Sequence, residues 1–145
     1  MKKAVISLVT MIIIGTLCCP AVAKASSEDD VLAQINAYRS EQGLCELTMD
    51  EDLKDIALLR AAECSEKFSH VRPNGQAWYT VSSLTNGENL AHAINYNQQK
   101  PENVVLAWML SPKHSANVLR TSFSSAGIAY YESETGEIYI ACEFR

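Results

Sequence analysis

Three histidines, His70, His92 and His114, are the side chains of this 145-residue chain best suited to bind a metal or pass a proton near neutral pH. No two of them stand one helical turn apart, so none belongs to a local metal signature. Their surroundings carry more information. His70 follows a helical stretch and precedes the turn residues Arg72-Pro73-Asn74-Gly75. Glu88 follows Gly87, a residue that lets the backbone bend and aim a carboxylate inward. His114 falls in the first turn of a helix opening at Ser111-Pro112, where the positive end of the dipole disfavours a protonated ring. A neutral imidazole is what a metal ligand or a general base requires. A shared His–Glu–His site is one reading of these residues; three ordinary surface and turn histidines is the other.

Nucleophiles are less conspicuous. The chain has no Gly-x-Ser-x-Gly elbow. Ser111 or another hydroxyl could be activated by a histidine. A glycosidase needs two carboxylates across the scissile bond, and Glu88 is the one acid placed for such a role. Cys45, Cys64 and Cys142 allow three alternative pairings with one thiol left over, or three buried, reduced and inert thiols.

The elements that position these residues follow from pattern. Ser26 and Ser27 before Glu28-Asp29-Asp30 predict a helix start, with Val31, Leu32, Ile35 and Tyr38 on one face and Gly43 at the end. Thr48 with Glu51 fits a capping box for a second helix. That helix is expected to run to about Ser69, burying Leu53, Ile56, Ala57, Ala61, Cys64 and Phe68. Trp78 to Leu84 has the aromatic and β-branched content of a strand, and Asn86-Gly87 reads as a turn. Pro101 opens a helix carrying Val104, Val105, Trp108 and Met109. Ser111 and Pro112 then serve as N-cap and first residue of a short helix with His114, Asn117, Val118 and Leu119. Ala126 to Glu132 and Glu137 to Phe144 form a hairpin around Thr135-Gly136, with Ile138, Ile140, Cys142 and Phe144 on one face. The expected class is α/β of the α+β type, without regular βαβ alternation.

The N-terminus has the form of a signal peptide over residues 1–25: Met1-Lys2-Lys3, an apolar run from Ala4 to Leu17, then Pro20-Ala21-Val22-Ala23-Lys24-Ala25. The run falls short of the roughly 20 residues of a permanent membrane helix. Residues 26–145 are then one secreted domain. Loss of Lys2, Lys3 and Lys24 moves the formal charge from -5 to -8. An acidic surface repels phosphate backbones, so nucleic acid and anionic membrane surfaces are not expected as partners, nor is a stable membrane span.

Three blocks are familiar together: Ser69-His70-Val71-Arg72-Pro73-Asn74-Gly75, Gly87-Glu88-Asn89-Leu90-Ala91, and Ala107-Trp108-Met109-Leu110-Ser111-Pro112-Lys113-His114-Ser115-Ala116-Asn117-Val118-Leu119. In this order they resemble the signatures of bacterial CAP-superfamily (SCP-like) extracellular domains, over Val31 to Phe144. The resemblance implies a three-layer α-β-α sandwich. It also implies a pocket of two histidines and two acids, some relatives binding zinc or another divalent ion there. His70 and His114 match the histidine positions and Glu88 matches one acid. Ser111 stands roughly where the second acid is expected, leaving His70, Glu88 and His114 as the implied metal site. His92 matches no pocket position and is read as a core-edge histidine, with the pocket rim as the alternative. Arg72 and Asn74 are read as turn residues and Trp108 as core. Relatives often carry glutamine at the position of Cys142, so a polar supporting group is expected to be lost there.

Two functions follow as expectations. The first is a secreted binding or interaction module whose pocket takes Zn2+ or another divalent cation, or an extracellular, lipid-like or cell-wall ligand. The second is a hydrolase of peptides, esters or cell-wall material with Glu88 as general base.

Overall fold

In the computed structural model residues 27–145 are described, and the expected leader lies outside them. Helix α1 (Ser27–Glu41) begins with three acids in its first turn and buries Val31 and Ile35. Strand β1 (Thr48–Met49) is two residues long, and α2 (Glu51–Glu66) follows at once. Asp50 caps α2 by accepting a 3.1 Å bond from the Leu53 amide. The expected capping box is therefore replaced. Thr48 is used to pair with Ser125, and Glu51 is left exposed beside Lys54. The helix also stops at Glu66, short of Ser69, and Phe68 is half exposed.

The strand expected over Trp78 to Leu84 is not formed. Trp78–Val81 is a 3-10 turn with Tyr79 largely exposed, because no neighbouring strand lies beside it to satisfy an extended backbone. The strand is instead β2 (Gly87–Ala93), which pairs antiparallel along its whole length with β4 (Ile138–Phe144). Helices α3 (Pro101–Leu110) and α4 (Pro112–Val118) meet at Ser111. Ser111 occupies the N-cap of α4, but its hydroxyl makes no capping bond. Strand β3 (Ser125–Glu132) completes a sheet in the order β1-β3-β4-β2.

Both faces of the sheet are covered. On one, Val31, Ile35, Val104, Val105, Trp108 and Val118 from α1, α3 and α4 pack on Ala126, Ile128, Ile140, Cys142 and Phe144. On the other, Ala57, Ala61 and Cys64 of α2 pack on Leu90, Ala129, Tyr139 and Ala141. Alternation along the strands sends successive side chains to opposite layers, so the molecule is a three-layer α-β-α sandwich. Trp108 is core as expected, its indole donating to the Leu90 carbonyl at 2.9 Å.

Candidate binding site

The α2 face of β2 carries Glu88, and opposite it in register on β4 stands Glu143. Glu88 is 3% exposed and Glu143 wholly buried. Two carboxyls in one dry layer demand a compensating charge, and α2 supplies it. Arg60, also wholly buried, donates from Nε to Glu88 Oε2 at 2.6 Å and from Nη2 to Oε1 at 3.3 Å. The same guanidinium reaches Glu63 at 2.5 Å and the Ser69 carbonyl at 2.9 Å. Glu63 is in turn gripped by Arg72, Nη2 to Oε1 at 2.6 Å. Arg72, expected as a turn residue, thus also ties its turn to α2.

His70 comes next. Its Nδ1 lies 2.8 Å from Glu88 Oε1. Burial alone would raise the Glu88 carboxyl, but the bonds from His70 and Arg60 outweigh it and hold Glu88 below the usual carboxylate range. A carboxylate has no proton to give, so Nδ1 carries the hydrogen and Nε2 is left as the ring's free nitrogen. His114 faces it across 6.0 Å between ring centroids, with the planes tilted by 49°. Burial, and then repulsion between the protonated forms of the two rings, lowers the His114 pKa and favours the neutral ring.

The other face of β2 aims α4. Asn89 donates to the His114 carbonyl at 3.0 Å, and Asn117 donates to Asn89 Oδ1 at 2.9 Å and to the Glu88 carbonyl at 3.2 Å. Gly87 does not bend the chain as expected, since its φ is not positive. It is small for a different reason: a Cβ there would lie 2.8 Å from the Phe123 ring and 3.3 Å from Asn117. The glycine admits the segment that locks α4.

His70, Glu88 and His114 accordingly line one open cavity of about 340 Å³, with Trp78, Lys113 and Arg120 also on its wall. Ser111 is not in that lining. His92 is exposed and outside that lining, stacked on Tyr139 at 4.5 Å and 3.2 Å from Glu137. Cys45, Cys64 and Cys142 are free thiols; burial pushes Cys64 up to about 11 and Cys142 well above its ordinary value, which suppresses both thiolates. The polar group facing the site from β4 is Glu143 rather than residue 142, whose side chain points into the opposite layer.

As metal donors the residues fit in one way and not another. Among the described residues no group of three or more His, Cys, Asp or Glu converges to hold a metal ion. Both Glu88 oxygens are already engaged. The donor set fits two imidazoles with Glu88 behind His70, and does not fit a centre with Glu88 as third ligand.

Glu143 was missed by sequence reasoning and is chemically distinctive. Thr85 Oγ1 lies 3.2 Å from the Gly87 carbonyl and 2.5 Å from Glu143 Oε2. A hydroxyl has one proton, and a carbonyl can only accept it. That proton goes to Glu143 Oε2, with the Gly87 carbonyl as the second acceptor within its reach. Burial and the nearby Glu88 charge outweigh the Thr85 bond and raise the Glu143 pKa well above its ordinary value, so Glu143 is held protonated. Above the unfolded value of about 4.3, the folded chain then holds one proton more than the unfolded chain. Stability falls as pH rises from there toward the raised folded value, by up to about 1.4 kcal/mol per pH unit. Glu143→Gln keeps a neutral donor and removes that slope. Urea melts should show the variant gaining on the wild type as pH rises above about 5. Parallel curves would mean that Glu143 is ionised in the fold.

Comparison with known proteins agrees with the fold. Residues 32–144 match the CAP family, described as the cysteine-rich secretory protein family. The uncharacterised protein YkwD of Bacillus subtilis strain 168 is 36% identical over 114 residues, covering 73% of this chain. The chain spans 43% of the length of that relative. An outer surface protein from Borrelia burgdorferi superposes with a TM-score of 0.65 at 21% identity, covering 83% of this chain and 94% of that one. NaASP2, in a crystal structure with Zn2+, gives 0.63 at 16% identity, covering 87% and 83%.

Proposed function

Because the chain belongs to the cysteine-rich secretory protein (CAP) family, we propose that it is a binding module acting outside the cytoplasm, whose cavity holds a divalent cation, Zn2+ or a similar ion, between His70 and His114. One observation carries this reading: Glu88, held by Arg60, engages His70 Nδ1 and leaves Nε2 free on a ring whose centroid lies 6.0 Å from that of His114. The description of one fold relative as an outer surface protein, and of another as a complex with Zn2+, supports it as well.

The chain's own residues have distinct parts in this scheme. His70 and His114 supply nitrogen donors, Glu88 orients His70 and raises its basicity, and Arg60 keeps Glu88 ionised in a buried place. A bound ion would supply open coordination positions for a ligand or water. The hydrolase reading is the weaker of the two. A general base must be free to take a proton, and Glu88 is held low by two partners.

Calorimetric titration of the protein with Zn2+ tests the proposal. Binding should weaken at least about tenfold in the His70→Ala, His114→Ala double variant, and by about 10- to 100-fold in Glu88→Gln, where the histidine loses its ionised orienting partner. It should also weaken as pH falls and the rings protonate. Equal Zn2+ affinity in wild type and double variant ends the claim.

A further inference from the structure

A bare two-imidazole site does not need the other charges on this cavity. Lys113, next to His114 on α4, and Arg120, just beyond α4, both line it. Neither is among the ion-paired side chains of the described residues. The acids nearby are committed elsewhere: Glu88 to Arg60 and His70, and Glu63 to Arg60 and Arg72. Two uncompensated cations therefore face one cavity in a chain whose formal charge is -5.

Arg120 is an exposed residue with an anchored backbone. Its carbonyl accepts from the wholly buried Arg39 at 3.0 Å, its amide donates to Asn117 at 3.2 Å, and its guanidinium lies 5.1 Å over the Phe123 ring. The backbone is thereby anchored, and the cation–π contact biases the exposed guanidinium toward one place.

We propose that the cavity receives the phosphate group of a small, soluble phosphate ester, with Lys113 and Arg120 as its charge partners. The inference rests on the cavity being a ligand site. A phosphate monoester carries about 1.5 to 2 negative charges at pH 7, which matches two cations, whereas a carboxylate matches one. Arginine and lysine are the side chains that bind phosphate oxygens, the first as a fork and the second as a point charge. The cavity volume of about 340 Å³ is at the lower end of small-molecule sites, which run from about 300 to 1,000 Å³. It accommodates a phosphate with a short organic group against half-buried Trp78. The acidic remainder of the surface opposes docking on an anionic bilayer.

The test is a calorimetric titration of the protein with glycerol 3-phosphate at low salt, with glycerol and acetate as comparisons. The wild type should bind the ester, and neither comparison compound. Lys113→Gln with Arg120→Gln should weaken ester binding at least about tenfold while leaving Zn2+ binding within about threefold. Vesicles of phosphatidylcholine with phosphatidic acid form a second arm. Binding to vesicles but not to the soluble ester overturns the soluble-ester assignment. So does no ester binding, or equal binding by wild type and double variant. Loss of ester binding in the histidine double variant alone, with Lys113→Gln/Arg120→Gln unaffected, also overturns it by moving the anion onto the metal. Zn2+ binding without ester binding leaves the metal reading intact, and ester binding without Zn2+ removes only the metal.

Discussion

Arg60→Ala is expected to lose about 3–5 kcal/mol of stability, the range typical of a buried ion pair deprived of one partner. Arg60 is wholly buried and answers three acceptors at once: Glu88, Glu63 and the Ser69 carbonyl. Burial works against its charge, but the hydrogen bonds and field of Glu88, with those of Glu63, hold the guanidinium above its ordinary value. Removing it strands the Glu88 carboxylate at 3% exposure with only a half-exposed imidazole for company. Arg60→Lys should recover part of the loss, since a single ammonium cannot reproduce the fork that spans these acceptors. Arg60→Ala with Glu88→Gln should recover more, because the stranded charge is gone. Urea denaturation at neutral pH measures all three, and a loss below about 1 kcal/mol for Arg60→Ala sinks the account. The same variant should weaken Zn2+ binding, since the carboxylate that fixes the His70 tautomer is no longer anchored.

Much of this arrangement could be read from the residues, and what could not has identifiable causes. The hairpin at the C-terminus is legible because β-branched and aromatic residues alternate on both sides of Thr135-Gly136, and β3 and β4 begin within a residue of the expected positions. The two helices meeting at Ser111 are legible from Pro101 and Pro112. Strand β2 is not legible. Its sequence, Gly-Glu-Asn-Leu-Ala-His-Ala, contains no β-branched residue, and pairing with β4 overrides its weak propensity. Trp78–Val81 fails in the opposite sense, having strand-forming residues and no strand to pair with. The site divides in the same way. His70, Glu88 and His114 were found from local context and family resemblance, and the cavity collects all three. Arg60 and Glu143 were missed because charged residues are expected outside. Yet Arg60 stands at the buried spacing of α2, with Leu53, Ala57, Ala61 and Cys64, and Glu143 alternates with the apolar face of β4. A charge on an apolar stripe was the available signal.

Gly127→Ala is expected to cost at least about 3 kcal/mol, at or beyond the upper end of ordinary overpacking. The position is on β3, in register with Glu143 on β4, where α2 crosses the sheet. A Cβ built there would sit 2.1 Å from the Leu53 carbonyl carbon and 2.2 Å from the Lys54 nitrogen. These are backbone atoms of the first turn of α2, so no side-chain rotation can relieve the clash; the helix itself must lift. Lifting α2 has a consequence beyond stability. The helix carries Arg60 and Glu63, and His70 follows its end, so a displaced helix separates the guanidinium from Glu88 and His70 from His114. Loss of urea stability and loss of Zn2+ affinity should therefore appear together in Gly127→Ala, although the substitution lies on β3 and the proposed ligands lie in the loop after α2 and on α4. A variant that folds with a loss under about 1 kcal/mol would show that α2 does not rest on the β3 backbone, and the positioning argument for the whole site would go with it.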